Sequence, residues 1–530
     1  MDVISTVLVG LPLVVSLMLL GLLGLMPASL RPQTTSAMRL VTFVISMILF
    51  VVTTALAVGY LGDIDWLTIG FNEYVLEFQY PWIESLGVTW HVGLDALSFP
   101  MVWLTAFLMP VTQIATWNEK KGAVYHPLLL LMGGTLIGVF VSLDLFMFYI
   151  FWELTLIPMF FLILKWGGKE RRYAAQKFFI YTFTASVVML LGLITVYFLQ
   201  DPASTDAAGD FTGRSFDLVA MTSAANAVHA DGGIFLGKTM QSVLFVMLML
   251  GFLVKLPAAP FHTWLPDAHV QAPTGGSMLL AGVMLKMGAY GMFRIPIALF
   301  PHAVETFQFA IMIFGFVSLV YGAIVCLGQT NLKKMVAYSS VSHMGVILLG
   351  IASQQPIGYA AALFMMFAHG IISPMLFAVC GAFKHHYHSM EIGAMRGMAK
   401  HSPWIATSMM FGWMASLGLP LLAGFVAEFL LLVAYWATFG WWILGPGLAL
   451  AITAAYYLWS MQRTIFEGGE ETQPPASLEG KPVPDLDQSE KVAMLILAVA
   501  TIVFGIFPFL ALDMMDAYTQ TIFAALFGGA

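Results

Sequence analysis

The sequence predicts an all-α, polytopic membrane protein, and three observations predict it. Of 530 residues, 60% are hydrophobic and 10% charged, a balance outside the range of soluble enzymes. Apolar runs of about 20 residues, the length that crosses a bilayer, recur from one end of the chain to the other. Basic residues collect in alternate gaps between those runs.

The runs fall at 3–26, 39–61, 92–116, 123–141, 144–165, 174–199, 239–270, 274–298, 305–326, 333–353, 358–384, 403–438, 441–466 and 489–511, about fourteen spans in all. Residues 3–26 read as a retained first span: no basic region precedes them, and the run is longer than a signal peptide's apolar core. Gly62–His91 carries Asp63, Asp65, Glu73, Glu77 and Glu84 with no Lys or Arg and reads as an acidic outer loop. Gln200–Lys238 is rich in Ala, Asp and Gly, while Glu467–Glu490 reads as an exposed, partly mobile Pro/Glu linker.

Two runs are over-long and interrupted. The seventh breaks around Pro257 and Pro260, the twelfth around Gly418, Pro420 and Gly424. Proline inside a helix frees backbone groups, which hydrocarbon tolerates only where protein or a watery cavity satisfies them. Each is expected to be a broken helix that traverses once. Spans 4–8 and 9–13 form two groups of five; five is odd, so the second group runs upside down relative to the first. The organisation expected is therefore residues 1–122 (three spans and the outer loop), 123–298 and 299–466 (two inverted five-helix repeats), and 467–530 (inner loop, last span and tail). Inverted repeats with breaks at matching places put the working site between the halves.

Charge sets orientation. With the loops after odd-numbered spans taken as cytoplasmic, they hold 17 of the 22 basic residues. Arg214, Lys238 and Arg294 fall on the opposite side, and Lys255 and Lys286 within the membrane. Both termini are then expected outside.

Six titratable residues lie deep in apolar runs: Glu153, Lys255, Lys286, His343, His369 and Glu428. A lysine at bilayer depth costs at least ~2.5–3.5 kcal/mol, so by default such a group marks a function. The plainer reading is a set of buried ion pairs or satisfied histidines that orient helices. Spread through two inverted halves, the set is what a proton relay needs, with lysine, water, histidine and carboxylate passing a proton in turn. A Glu153–Lys255 contact opening from ~4 to ~8 Å would lose roughly 2 kcal/mol at an effective dielectric near 20. Expelling a proton against ~200 mV costs about 4.6 kcal/mol. Pair opening alone is too weak and must act with changes in hydration.

Two motifs are set aside. Gly232–Thr239, GGIFLGKT, fits a phosphate-loop pattern, but a polar loop precedes it and an apolar span follows. The HHYH run at 385–388 could share a metal, but no nearby carboxylate or cysteine completes a site in the sequence. Cys326 and Cys380 lack CxxC spacing and cannot hold a four-cysteine cluster.

The segments FYIFWELTLIPMFFLI (148–163), KLPAAPFHTWLPDAHVQAPTGGSMLLAGVMLKMGAYG (255–291), NLKKMVAYSSVSHMGVILLGI (331–351) and GFVAEF (424–429) resemble the antiporter-like subunits of respiratory complex I. The resemblance runs from about residue 90 to 465, and KFFIYT (177–182) favours the M type (chain 4) over the L and N relatives. It implies a proton-translocating subunit of an NADH:quinone oxidoreductase, coupled to quinone reduction elsewhere. Its relay would be Glu153, Lys255, Lys286, His343, His369 and Glu428, with Asp144 and His262 supporting. It further implies no redox group on this chain, quinone, NADH, FMN and iron–sulfur clusters lying on partner subunits. Expected neighbours are L-, N- and K-like chains and lipid, with no nucleic acid, in a bacterial cytoplasmic membrane. Alternatives are a subunit of a multi-subunit cation/proton antiporter, of a membrane-bound hydrogenase or of an inorganic-carbon uptake complex.

Overall fold

The computed structural model describes residues 3–27, 29–61, 64–200, 214–230, 233–394, 396–466 and 485–527. Most of the linker 467–490, and the start of the phosphate-loop-like segment at Gly232, lie outside the described residues.

Two helices open the chain, α1 (Ile4–Leu25) and α2 (Thr35–Ala57), followed by an antiparallel hairpin of β1 (Val75–Ile83) and β2 (Val88–Leu94). Then come α3 (Ser98–Ala115), α4 (Tyr125–Val141), α5 (Leu145–Leu154), α6 (Leu156–Trp166), α7 (Arg171–Leu199) and α8 (Leu218–Ala230). The first interrupted run is α9 (Lys238–Lys255) and α10 (Trp264–Gln271). The next is α11 (Thr274–Leu279) and α12 (Leu285–Met292), with π-helical turns at Leu280–Met284 and Phe293–Ile297. After α13 (Pro301–Thr306) come α14 (Gln308–Leu327), α15 (Leu332–Ala352), the long α16 (Pro356–Tyr387) and the short α17 (Met398–His401). The second interrupted run is α18 (Pro403–Ser416) and α19 (Ala423–Phe439); α20 (Leu444–Met461), α21 (Gln488–Ile506) and α22 (Phe509–Phe527) close the chain.

Among the described residues, twelve helical stretches are long and apolar enough to cross a bilayer, and α4 is a shorter apolar helix. The chain is an integral, multi-span membrane protein. Burial sorts the helices. Thr274–Ile297 and α16 are enclosed by protein, and α15 nearly so. By contrast α1, α2, α7, α14 and α21 expose apolar side chains such as Met18, Leu40, Ile180, Phe309 and Leu495, as lipid-facing helices must. The polar, proline- and glycine-bearing stretch is thus at the centre, where neighbours can satisfy it.

Within the stretch expected to be an acidic loop between spans, the chain forms a hairpin. Val75–Ile83 and Val88–Leu94 pair with Phe78 opposite Val92 and Tyr80 opposite Trp90, and Gly87 (φ 62°) makes the turn. Pairing with β1 also holds Val92–Leu94 extended, so the third span starts at Ser98 rather than 92.

Both breaks occur where proline and glycine put them. Between α9 and α10 the freed Ala259 N–H donates to Ser318 Oγ (2.8 Å), and Trp264 Nε1 donates to Val254 O (2.9 Å). Between α18 and α19, Gly418 holds φ +83°, and a Cβ there would stand 2.1 Å from Glu428 Oε2. The positive φ favours glycine at that position, and a larger residue would also have to push the Glu428 carboxylate aside. The tail left open by the sequence is helical: α22 packs on α16, and Thr521 Oγ1 accepts from Phe71 N (2.7 Å). The phosphate-loop-like segment leads straight into membrane helix α9, as the context argument required.

Arg294 is not a loop residue. It lies at the far end of the buried run 274–297, its guanidinium 2.7 and 2.6 Å from the two oxygens of buried Asp95, just ahead of α3. Tyr290 and Tyr74 hydroxyls complete its shell.

Candidate functional site

Lys286 sits on α12 between the two π-helical turns, fully buried. Its ammonium meets Ala281 O at 2.5 Å and His369 Nδ1, from α16, at 2.7 Å. A π-helical turn shifts backbone pairing to the fifth residue on, and Ala281, inside that turn, offers its carbonyl to the lysine. Because Lys286 donates, His369 Nδ1 must present a lone pair. The ring of His369 faces that of His343, from α15, with centroids 5.4 Å apart.

His343 is held by carbonyls on both sides: Nδ1 lies 2.7 Å from Ser339 O and Nε2 lies 2.9 Å from Ser416 O. Carbonyls only accept, so both contacts are hydrogen bonds at once only when both ring nitrogens carry protons. Ser416 is the last residue of α18, and the break beyond it is what leaves its carbonyl open to His343. Glu428, on α19, reaches 3.9 Å from His343 Nε2 with Oε1, which has no hydrogen-bond partner. That separation suits a bridging water better than a direct bond. Lys286, His369, His343 and Glu428 thus stand in one file, hydrogen-bonded at its first step and separated by about one water at its last.

The other pair is arranged differently. Glu153, near the end of α5, accepts a short hydrogen bond from Ser186 Oγ on α7. Lys255, the last residue of α9, is buried; its ammonium lies 3.4 Å from Thr155 Oγ1 and 5.2 Å over the Trp152 ring. The expected Glu153–Lys255 ion pair is not formed: among the described residues neither makes a salt bridge. Thr155, at the α5–α6 junction, stands where the carboxylate was expected. Its own hydroxyl donates to Trp152 O (2.7 Å), leaving a lone pair for the lysine.

The two residues expected to support the site lie off the file. Asp144 caps α5, its Oδ1 accepting from Phe146 N (2.8 Å) and Met147 N (3.0 Å), while Oδ2 accepts from Thr89 N (3.0 Å) of the hairpin. His262 packs edge-on against Tyr321 and Tyr338.

Sequence reasoning missed two residues. His269, on α10, is completely buried, stacks on Phe377 (4.1 Å), and leaves both ring nitrogens without a protein partner. Such a group needs water. The signal was available: a histidine between Pro266 and Pro273 in a broken span. Lys333 was counted as an inner-loop charge, yet it is 2% exposed and donates to Ala272 O (2.6 Å). It lines a cavity of about 500 Å³ shared with Lys121, Thr274, Lys384 and His385. That cavity reaches the junction of α10 and α11 at Ala272, Pro273 and Thr274, next to the buried run that carries Lys286.

The hairpin holds a separate charged cluster. His91 Nε2 is 2.6 Å from Glu77 Oε1, and Nδ1 is 2.7 Å from Asp217 Oδ2. Burial alone would lower its pKa, but Asp217 and then Glu77 outweigh that and hold it above the usual histidine value.

Comparison with known proteins gives one answer. The family described as NADH:quinone oxidoreductase/Mrp antiporter, TM, matches residues 142–453. The F(420)H(2) dehydrogenase subunit M of Methanosarcina mazei is 37% identical over 506 residues, covering 92% of this chain and 97% of that one. The NADH-quinone oxidoreductase subunit M of Rhodobacter capsulatus is 40% identical over 439 residues, 82% of this chain and 81% of its own. A chain of respiratory complex I from Thermus thermophilus with bound NADH superposes with a TM-score of 0.81 at 27% identity, covering 98% of this chain and 100% of that one.

Proposed function

The chain belongs to the NADH:quinone oxidoreductase/Mrp antiporter membrane family, and from that premise we propose that it is the M-type proton-translocating subunit of a complex I-type quinone oxidoreductase. Protons pass through Glu153, Lys255, Lys286, His369, His343 and Glu428, driven by quinone reduction elsewhere in the assembly. The observation that carries this reading is the file Lys286–His369–His343–Glu428, in which a lysine's proton has an acceptor at 2.7 Å and a carboxylate at the far end.

In this reading fourteen spans are arranged as 1–122, two inverted five-helix units at 123–298 and 299–466, and 467–530. The breaks α9/α10 and α18/α19 support it by falling at corresponding places. The redox groups lie on partner subunits, L-, N- and K-like chains flank this one in a bacterial cytoplasmic membrane, and both termini face outward.

The drive differs from simple ion-pair opening. Lys255 is held by a hydroxyl and an aromatic face rather than by a direct contact with Glu153, so the attraction between the two acts only at longer range and has less to release. The roughly 4.6 kcal/mol needed against ~200 mV must come from wetting and drying of the buried groups. The likeness to an F(420)H(2) dehydrogenase subunit over 92% of the chain favours a second reading, in which the same membrane machinery is driven by another electron donor.

The test uses the assembled complex in proteoliposomes. Glu153→Ala and Lys255→Ala should cut quinone-linked proton pumping while leaving assembly and NADH oxidation by an artificial acceptor intact. Normal pumping in either assembled variant would overturn the assigned roles. Activity with reduced F420 but not NADH would select the second reading.

A further inference from the structure

The histidine run at 385–388 has no carboxylate near it in sequence, and the fold supplies two from about a hundred residues further on. At the end of α16, His386 Nε2 lies 2.9 Å from Glu490 Oε2 and His385 Nδ1 lies 3.6 Å from Glu490 Oε1. Asp487, three residues earlier, caps the same helix, α21. One ligand atom from each of His385, His386, Asp487 and Glu490 can be chosen so that all lie within 4.8 Å of one another. We propose that these four side chains form a binding site for a divalent transition cation of the zinc class, joining the ends of α16 and α21.

The donor set selects the ion. Two imidazoles and two carboxylates make a nitrogen–oxygen tetrad that suits Zn²⁺, whereas Mg²⁺ and Ca²⁺ favour oxygen alone. Bonds of about 2.0–2.2 Å in a tetrahedron leave ligand atoms roughly 3.4 Å apart. The cluster therefore closes by about an ångström or so around the ion. Exposed His385 is free to make that move, while Glu490 is already oriented by Asp487 N (2.8 Å). Asn118 Nδ2 approaches Asp487 Oδ2 (3.5 Å) and Ser489 Oγ (3.2 Å), an outer contact that holds the aspartate in place. Lys384 lines the same cavity as His385 and opposes a cation, so the two carboxylates must outweigh it. Cys326 and Cys380, the chain's softer ligands, are both buried and cannot compete.

The site is apart from the proton file. His369 lies sixteen residues up α16 from His385, about 24 Å along the axis at 1.5 Å per residue. Its role is therefore to fix a helix end, tying the central buried helix to the one that follows the linker.

The full chain, chelator-stripped and held in lipid nanodiscs, is dialysed against radioactive Zn²⁺ in excess Mg²⁺. One zinc per chain is expected, weakened at least tenfold by His386→Gln and by His385→Ala/His386→Ala. His386→Gln keeps an amide for Glu490, so its fold survives if the double variant's does not. Co²⁺ bound to the unaltered chain should give the ligand-field absorption of a tetrahedral nitrogen–oxygen site. No zinc bound under excess Mg²⁺, undiminished binding in the variants, or only six-coordinate cobalt would each overturn the proposal.

Discussion

Lys255 and Lys286 are both buried at the breaks and bends of the same central stretch, yet their surroundings differ in kind. Lys286 touches the imidazole of His369, and beyond it lie a second imidazole and a carboxylate. Lys255 touches a threonine hydroxyl and an indole face, and Glu153 turns to Ser186. Among the described residues no hydrogen bond joins one lysine to the other. The contrast separates two ways of moving a proton through protein. In one half the ionisable side chains stand within a water's reach of one another; in the other, Lys255 and Glu153 each turn to a hydroxyl.

The largest expected effect is on the half that holds Lys286. Lys286→Ala removes the group that opens the file, and quinone-linked pumping in proteoliposomes should fall by about a hundredfold or more. Pumping at the normal rate would erase the distinction. Asp95→Ala is the control for burial without transport. It strips Arg294 of a bidentate partner and should destabilise the chain by roughly 3–5 kcal/mol, read as lost thermal stability, while assembled complexes pump normally. A pumping defect in stable complexes would instead draw that pair into the pathway.

A smaller effect sharpens the view of Lys255. Thr155→Val removes its hydroxyl contact at nearly constant volume, about 1 kcal/mol of hydrogen bonding, and should slow pumping several-fold, with Thr155→Ser restoring it. The smallest concerns the hairpin. His91's pKa is raised in the fold, so its pairing with Asp217 and Glu77 stabilises fully below the ordinary value of 6.5 and fades as pH rises through the folded value. Protection from hydrogen exchange at 75–94, taken relative to the intrinsic rate at each pH, should therefore fall on going from mildly acidic to alkaline pH. That fall in protection should vanish in His91→Gln.

Much of this was legible beforehand. Pro257, Pro260 and Gly418 announce the breaks because proline cannot donate and glycine takes a φ of +83° without strain. Lysines in apolar runs announce themselves by their cost. What the sequence could not show was partnership. Lys286 and His369 are 83 residues apart, and nothing in either helix's pattern names the other. Glu153 and Lys255 looked like partners because their charges are opposite, but packing gave each a hydroxyl. Arg294 and Lys333 read as loop charges because they lie near the ends of apolar runs, where a boundary error of a few residues changes sides. The hairpin was hidden because acidic residues at Glu77 and Glu84 made the stretch look like plain loop.

The π-helical turn at Leu280–Met284 has a further consequence for a one-residue deletion. Such a turn takes one more residue than regular winding needs and absorbs it as a local widening, so the helix on either side keeps its direction. Removing a single residue there would restore regular winding with the flanking helices little turned, and every ionisable group would stay in place. What would change is the set of carbonyls facing the Lys286 ammonium, Ala281 O among them.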